Sequence, residues 1–325
     1  MHHNKSIAVV LFQLGGPDSL DAVKPFLYNL FCDPDIIDFP GAFLARKPLA
    51  KFISSRRSKK VLNNYRTIGG KSPINDLTIA QARALEAEIN KQIDAKVFVA
   101  MRYWHPLTEE VVQEIRSERF DKIILLPLFP HYSKATTGSS FNEWNRQCTL
   151  NKMDVSNTKI ITAFYNHSLY IEAVTENIRK ALTKFSKLTA DKIDLVFSAH
   201  GTPMSLVREG DPYNDHIKET VRLVLEKGEW KSPHVLCYQS RIGPVKWLKP
   251  SLKETIHNLG ANGRKHLLIV PISFVTDHIE TLHEINIEIR QEAEYLGIEQ
   301  FEIMPALNDS PKFIQCLKEL VLTNI

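Results

Sequence analysis

The stretch "KIDLVFSAHG", residues 192–201, joins a nearly continuous apolar run to a histidine and a glycine. Such a run, without regular polar alternation, is typical of a parallel strand that is covered on both faces. In α/β proteins, ligands bind beyond the carboxyl ends of such strands. His200 therefore stands where it could bind a metal, move a proton or only stabilise a loop.

The same kind of run recurs along the chain, with helical patterns between the runs. Together the runs cover residues 7–14, 96–103, 122–129, 159–165, 192–199, 234–240, 266–274 and 301–307. Eight strands divide naturally into four plus four, which predicts an α/β protein with two similar doubly wound domains. We expect one domain over residues 1–165 and a second over 166–325, with a last helix at about 310–325 that packs back on the first.

The bulk composition excludes several classes of protein. Of the 325 residues, 43% are hydrophobic and 24% are charged, and the net charge of +4 is too small for a dedicated nucleic-acid binder. The four cysteines are far apart and form no CxxC pattern, so neither a disulfide framework nor a metal clip is indicated. No apolar run reaches the roughly 18 residues of a membrane span. We expect reduced thiols and a cytoplasmic protein.

The gap between the first two strands is unusually long, and an insertion beside a strand end often forms a lid or a binding wall. We call residues 39–75 the lip. It mixes apolar and basic side chains, namely Phe39, Phe43, Leu44, Arg46, Lys47, Lys51 and Phe52. This mixture suits the headgroup boundary of a membrane, with weak peripheral association. The alternative is that the apolar members pack against the protein's own cleft.

A row of acids follows the seventh strand. Asp277, Glu280, Glu284 and Glu288 are separated by three, four and four residues, which places their carboxylates on one face of a helix. Like charges at these spacings repel each other unless cations lie between them. The row is therefore either a solvated acidic face or a path for a divalent cation that leads inward to Glu280.

Imidazole and carboxylate side chains suit a borderline metal such as Fe(II) or Zn(II), and both accept protons near neutral pH. The hydrolytic zinc motif HExxH is absent, because His278 and His283 are five residues apart. The pattern favours a site that meets a metal transiently without enclosing it. The second strand ends in "MRYWHP", which offers Arg102, Tyr103 and His105 as further polar candidates.

Seven segments together resemble the ferrochelatase family, whose members insert ferrous iron into a porphyrin at the end of haem synthesis. They run in order over nearly the whole chain: "LGGPDSLDAVKPFLYNLFCDPDII" (14–37), "YRTIGGKSPI" (65–74), "MRYWHPLTEE" (101–110), "LPLFPHYSKATTGSS" (126–140), "SAHGTPMSLVREGDPY" (198–213), "CYQSRIGPVKWLKP" (237–250) and "VPISFVTDHIETLHEINIE" (270–288).

The resemblance implies two Rossmann-like domains of the chelatase type, each with a four-stranded parallel sheet flanked by helices, and a porphyrin in the cleft between them. It implies that His200 and Glu280 are catalytic and contact iron, and that Glu284 and Glu288 extend the metal path along a π-helix. The implied substrate-binding residues are Leu14, Arg57, Tyr65, Ser72, Arg102, Trp247 and Phe274.

The chain departs from the family pattern at two positions, with His131 where glutamine is usual and Asn286 where aspartate is usual. Leu14 stands where the coproporphyrin branch typically has tyrosine. Together with the apolar lip, Leu14 favours protoporphyrin IX as the substrate. The alternatives are a coproporphyrin ferrochelatase, a non-catalytic porphyrin or haem carrier, and a chelatase for cobalt or nickel.

The expected partners are protoporphyrin IX and ferrous iron, and the iron is a substrate instead of a resident cofactor. The chain ends at Ile325 with Cys316 as the nearest cysteine, so we expect no iron–sulfur cluster and no other permanently bound cofactor. We expect a monomer. His200 is assigned as the leading acceptor of the pyrrole protons, assisted by Glu280.

Overall fold

The computed structural model describes residues 6–36, 42–185, 188–240 and 245–325, without the side chains of 42–44. Phe39 and the side chains of Phe43 and Leu44, which were assigned to the lip, lie outside the described residues. The chain divides into two compact units. Unit 1 is Met1–Ala163 together with Ile314–Ile325, and unit 2 is Phe164–Phe313.

Unit 1 contains a four-stranded parallel sheet in the order β2-β1-β3-β4. Its strands are β1 (Ile7–Gln13), β2 (Ala95–Met101), β3 (Lys122–Pro127) and β4 (Thr158–Ile160). Its helices are α1 (Val23–Cys32), α2 (Ala42–Thr67), α3 (Ile74–Ile89), α4 (Thr108–Glu118), π1 (Lys134–Gly138) and α5 (Ser139–Leu150). The main core lies where Phe12, Val112 and Trp144 meet, between the sheet and the helices α4 and α5.

Unit 2 repeats this plan with the strand order β6-β5-β7-β8, again all parallel. Its strands are β5 (Ile193–His200), β6 (His234–Gln239), β7 (His266–Pro271) and β8 (Gln300–Ile303). Its helices are α6 (Ser168–Leu182), α7 (Met204–Arg208), α8 (Tyr213–Gly228), α9 (Leu252–Ala261), π2 (Glu280–Ile289), α10 (Arg290–Tyr295) and the start of α11 (Pro311–Leu322). Short 3₁₀ turns lie at Thr183–Phe185 and Ala190–Lys192.

The eight predicted strands are confirmed, and so is their division into two parallel sheets. The fourth strand of each sheet is shorter than predicted, with three residues in β4 and four in β8. The run 159–165 leaves the sheet after Ile160, and the run 301–307 leaves it after Ile303, shortly before Pro305. A proline lacks the N–H that a ladder hydrogen bond requires.

The structure places a 26-residue helix, α2, within the predicted lip. Phe52 on this helix is 63% exposed, and its neighbours Lys51 and Lys47 also face solvent. In the ranges that the structure describes, no helix is both long enough and apolar enough to cross a bilayer.

The π2 helix is anchored to unit 2 by its apolar side chains. Ile285 and Ile289 pack with Val196 of β5 and Ile269 of β7. Burial of apolar area contributes roughly 25 cal/mol per Å², and it supplies most of the free energy that stabilises a surface helix in a protein. These contacts hold π2 against the sheet of unit 2.

Candidate active site

His200 is the last residue of β5, and the sheet register determines its surroundings. It pairs with Gln239 of the adjacent β6, so the carboxyl ends of the two strands meet at one edge. Gly201, the next residue, lies close to the end of β6, and its N–H donates to the carbonyl of Gln239 at 2.8 Å. A Cβ on Gly201 would lie 2.8 Å from that same carbonyl oxygen, so the close approach requires glycine.

The structure brings His200 and Glu280 together as predicted, with 2.8 Å between His200 Nδ1 and Glu280 Oε2. Burial raises the pKa of Glu280, but the charge and hydrogen bond of His200 outweigh it and lower the pKa overall. An ionised carboxylate can only accept, so Nδ1 carries the hydrogen. Within the described part of the chain no hydrogen bond reaches His200 Nε2, which leaves its lone pair available to accept a proton.

The pKa of His200 moves in the opposite direction. Burial lowers it, but the neighbouring carboxylates of Glu280 and Glu284 have the larger combined effect and raise it above the ordinary value. The side chain of His200 is still 37% exposed, against 21% for Glu280, so this edge of the sheet can be reached from solvent. Perturbed groups of this kind cluster at functional sites.

Glu280 is held by more than the histidine. Its Oε2 also accepts a hydrogen bond from Gln239 Nε2 at 3.2 Å, and Ser240 Oγ lies 3.1 Å from it. Gln239 is itself oriented by Ser198, whose hydroxyl donates to Gln239 Oε1 at 2.9 Å. No hydrogen bond among the described residues engages the other oxygen, Oε1, so one oxygen of Glu280 is available to a cation.

The predicted π-helix is present as π2, which starts at Glu280. Glu284 accepts from the N–H of Ser240 at 3.0 Å and from its hydroxyl at 2.7 Å. Burial and the charge of Glu280 raise the pKa of Glu284. Glu288 lies farther out, is 49% exposed, and approaches His283 Nε2 at 3.3 Å. The three glutamates therefore pass from a half-buried to an exposed setting along one helix.

Asp277 does not belong to this row. It precedes π2, and its Oδ2 accepts from Asn308 Nδ2 at 2.9 Å while its Oδ1 accepts from Thr281 at 3.1 Å. The helical spacing that placed it on the acidic face was wrong for Asp277, because the regular π-helix begins only at Glu280.

Two aromatic side chains of unit 2 lie near His200 and the glycine that follows it. The ring of Phe274 lies 6.2 Å from that of His200 and 4.3 Å from that of His278, edge to face in both cases. Burial lowers the pKa of His278, and its Nδ1 is 3.0 Å from the carbonyl oxygen of Thr276. The Trp247 ring would contact a Cβ on Gly201 at 3.4 Å.

Two of the predicted residues of unit 1, Leu14 and Ser72, lie at the loop that follows β1. The carbonyl of Leu14 accepts from Tyr103 N–H at 3.0 Å, and the N–H of Ser72 donates to the carbonyl of Pro17 at 2.8 Å. Gly16 packs so closely on Ser72 that an added Cβ would lie 2.6 Å from the serine side chain. The loop before α3 is thus attached to the loop after β1.

Arg102 is engaged inside unit 1. Its guanidinium pairs with the fully buried Asp33 at 3.0 Å, and its Nε donates to Ser139 Oγ at 2.8 Å. Tyr65 is buried, and the Arg57 guanidinium lies 5.6 Å from the centroid of the Phe31 ring. The assignment of these residues to porphyrin binding stays a prediction.

Several residues of the site were not predicted as site residues, namely Ser198, Gln239, Ser240, Ser273 and Tyr213. Ser273 accepts the N–H of His200 at 2.9 Å, and Tyr213 donates to the His200 carbonyl at 3.0 Å. Polar residues directly after an apolar run, as in "CYQS", are the pattern from which Gln239 and Ser240 could have been predicted as site residues. Within the described ranges, no three His, Cys, Asp or Glu side chains are grouped so as to hold a metal ion.

Two comparisons with solved structures define the class of fold. SirB from Bacillus subtilis with Fe³⁺ matches with a TM-score of 0.57 at 12% identity, over 98% of this chain and 95% of that chain. The sirohydrochlorin chelatase SirB from Bacillus subtilis subspecies spizizenii, in complex with cobalt, matches with a TM-score of 0.56 at 10% identity, over 98% and 95%. The fold is therefore that of the chelatases, as predicted.

The sequence comparisons identify the family. The family profile "Ferrochelatase" matches residues 6–325. Proteins named ferrochelatase from Geotalea daltonii and Geobacter metallireducens are each 50% identical and cover 98% of this chain and of their own length. The ferrochelatase of Synechocystis is 46% identical over 98% of this chain and 82% of its own. The chain belongs to the ferrochelatase family, which confirms the predicted family and the prediction of an enzymatic metal chelatase.

Proposed function

We propose that this enzyme inserts ferrous iron into protoporphyrin IX to form protohaem. The observation that carries the proposal is the His200–Glu280 pair, which combines a proton acceptor and a metal ligand at one strand edge. The reaction consumes Fe²⁺ and porphyrin and releases the two protons of the pyrrole N–H groups.

His200 is the proton acceptor in this proposal. Its Nδ1–H is bound to Glu280, and its Nε2 is then the basic nitrogen. The carboxylate stabilises the imidazolium that forms when a pyrrole proton arrives, much as an acid orients the histidine of a catalytic triad. The chemistry requires the imidazole to be neutral when the porphyrin binds.

Glu280 is a ligand to the iron in this proposal. Its Oε2 is occupied by hydrogen bonds from His200 and Gln239, and its Oε1 can coordinate Fe²⁺ as the ion loses its water ligands. His200 contacts the iron as a second ligand only while its ring is unprotonated. Glu284 and Glu288 supply further carboxylate oxygens along π2, which are suitable transient ligands for a divalent ion.

The choice of protoporphyrin IX rests on Leu14, an apolar side chain that is half-buried after β1. A substrate with more carboxylates would favour a polar or hydroxyl-bearing residue at this position. The test is anaerobic incubation with Fe(II) and either protoporphyrin IX or coproporphyrin III, following porphyrin fluorescence and haem absorbance. We expect faster haem formation with protoporphyrin. Faster turnover of coproporphyrin would favour the other branch, and binding without haem formation would favour a carrier.

We also propose weak peripheral membrane contact through α2. Support comes from the exposed ring of Phe52, which is flanked by basic residues on the same helix. Apolar and cationic groups in one segment suit an interface with anionic lipid.

A further inference from the structure

Ser240, directly after β6, has a backbone conformation that is uncommon for its residue type. Its φ is +60°, in the left-handed region that favours glycine. Both of its donors nevertheless serve the site, since the N–H and the hydroxyl bind the two oxygens of Glu284 at 3.0 and 2.7 Å. Backbone conformations of this kind persist where the surroundings hold them in place, and they cluster at functional sites.

The hydroxyl of Ser240 lies between two acids. Its Oγ is 2.7 Å from Glu284 Oε2 and 3.1 Å from Glu280 Oε2. A hydroxyl has one hydrogen, so it can donate to only one of these carboxylates at a time. Because its N–H and its hydroxyl both bind Glu284, Ser240 places that carboxylate beside Glu280, so that one cation can contact both acids.

A cavity of about 630 Å³ in unit 2 opens onto Glu284. Ser240 and Glu284 line it together with Tyr238, His257 and Asn258, whereas Glu280 does not. An ion in the cavity therefore reaches Glu284 before Glu280, and Ser240 Oγ is in contact with both acids.

We propose that Ser240 is a positioning residue for iron delivery, which holds Glu284 beside Glu280 so that Fe(II) passes from the cavity to the reacting centre. The inference rests on the proposed function, since it concerns delivery of the iron that the enzyme inserts. Among the described contacts, Ser240 binds the two acids and does not touch His200, the proton acceptor.

The test replaces Ser240 with glycine, which removes the hydroxyl but retains the N–H and tolerates the positive φ. We expect the KM for Fe(II) to rise about tenfold, the size expected for one lost hydrogen bond to a charged group. The kcat at saturating iron and the KM for porphyrin should stay within about twofold. Ser240→Ala should give the same change in KM with the Cβ retained. Thermal unfolding establishes that both variants are folded.

Asn258→Ala is the matched control, because it alters the cavity wall without touching either carboxylate. Titration with Co(II) in the absence of porphyrin should show weaker binding in Ser240→Gly and unchanged binding in Asn258→Ala. An unchanged KM for Fe(II) in both serine variants, or a loss confined to kcat, would overturn the inference. An equal rise in Asn258→Ala would also overturn it. Failure of the unmodified enzyme to form haem would instead refute the proposed function.

Discussion

Unit 1 and unit 2 share a strand order, and each has a π-helix after its third strand, but they differ in the side chains at these positions. In unit 1, β1 ends at Gln13, whose side chain accepts the next N–H at 2.9 Å, and π1 has the sequence KATTG. In unit 2, β5 ends at His200, and π2 carries three glutamates. The fold supplies two equivalent edges, and the chemistry comes from the residues placed there.

A pair of the same residue types occurs in both units. His105 Nδ1 lies 2.9 Å from Glu110 in unit 1, and His200 Nδ1 lies 2.8 Å from Glu280 in unit 2. The unit 1 pair is 58% and 48% exposed, whereas the unit 2 pair is 37% and 21% exposed. Water screens an exposed pair, so its interaction is weak. Partial burial and the second acid, Glu284, are what make the unit 2 pair chemically distinct.

The largest effect is expected from His200→Ala. Loss of the proton acceptor should lower kcat by about 10³-fold, within the range for general base catalysis, and leave porphyrin binding nearly unchanged. His105→Ala is the matched control and should retain normal kcat. Steady-state haem formation and porphyrin fluorescence titration measure the two quantities. A His200→Ala enzyme that kept a tenth of normal kcat would show that another group accepts the proton.

Glu280→Gln should lower kcat by about a hundredfold, because it removes the charge that stabilises the imidazolium and binds iron. It should also change the pH profile. Activity requires neutral His200, so the rate rises with pH through the pKa of His200, which Glu280 helps to raise. Without that carboxylate the pKa falls, and the acidic limb of the kcat/KM profile should move to lower pH. A limb that moved to higher pH or stayed in place would contradict the assignment.

The double variant Glu284→Gln with Glu288→Gln should raise the KM for Fe(II) about tenfold and leave the KM for porphyrin nearly unchanged. Glu284→Gln alone should account for most of the rise, since Glu284 is the acid beside Glu280. Relief of repulsion should leave stability equal or higher by a few tenths of a kcal/mol.

The control for the double variant removes two acids of α4 in unit 1, Glu114→Gln with Glu118→Gln, which bind Lys96 of β2. This control should leave both KM values unchanged. If the two double variants had the same KM for Fe(II), the π2 acids would be a solvated face and not a metal path.

The smallest effect is expected for binding to the membrane. Phe52→Ser should reduce sedimentation with anionic liposomes at low salt by severalfold, because the apolar contact is lost. The matched variant is Tyr295→Ser, which removes an 89% exposed aromatic ring of unit 2 that lies near Glu292. That variant should sediment like the unmodified protein. If the unmodified protein stayed wholly in the supernatant, α2 would have no role at the membrane.

The sequence predicted both sheets because continuous apolar runs are a local signal, and it predicted His200 and Glu280 because family motifs surround them. It placed Asp277 wrongly, since helical spacing does not reveal where a π-helix starts. It also could not show that the guanidinium of Arg102 is held by Asp33, 69 positions earlier in the chain. Local patterns carry no information about a partner so distant.

By itself the sequence determined the eight strands and the four-plus-four division, and it placed His200 at the end of the fifth strand. The tertiary structure decided which strand ends meet. The parallel register of β5 and β6 places Gln239 beside His200, and the left-handed turn at Ser240 directs two donors at Glu284. A strand pattern depends on neighbours along the chain. The distances and pKa values of the site depend on contacts between segments some 40 to 80 residues apart, which exist only in the packed protein.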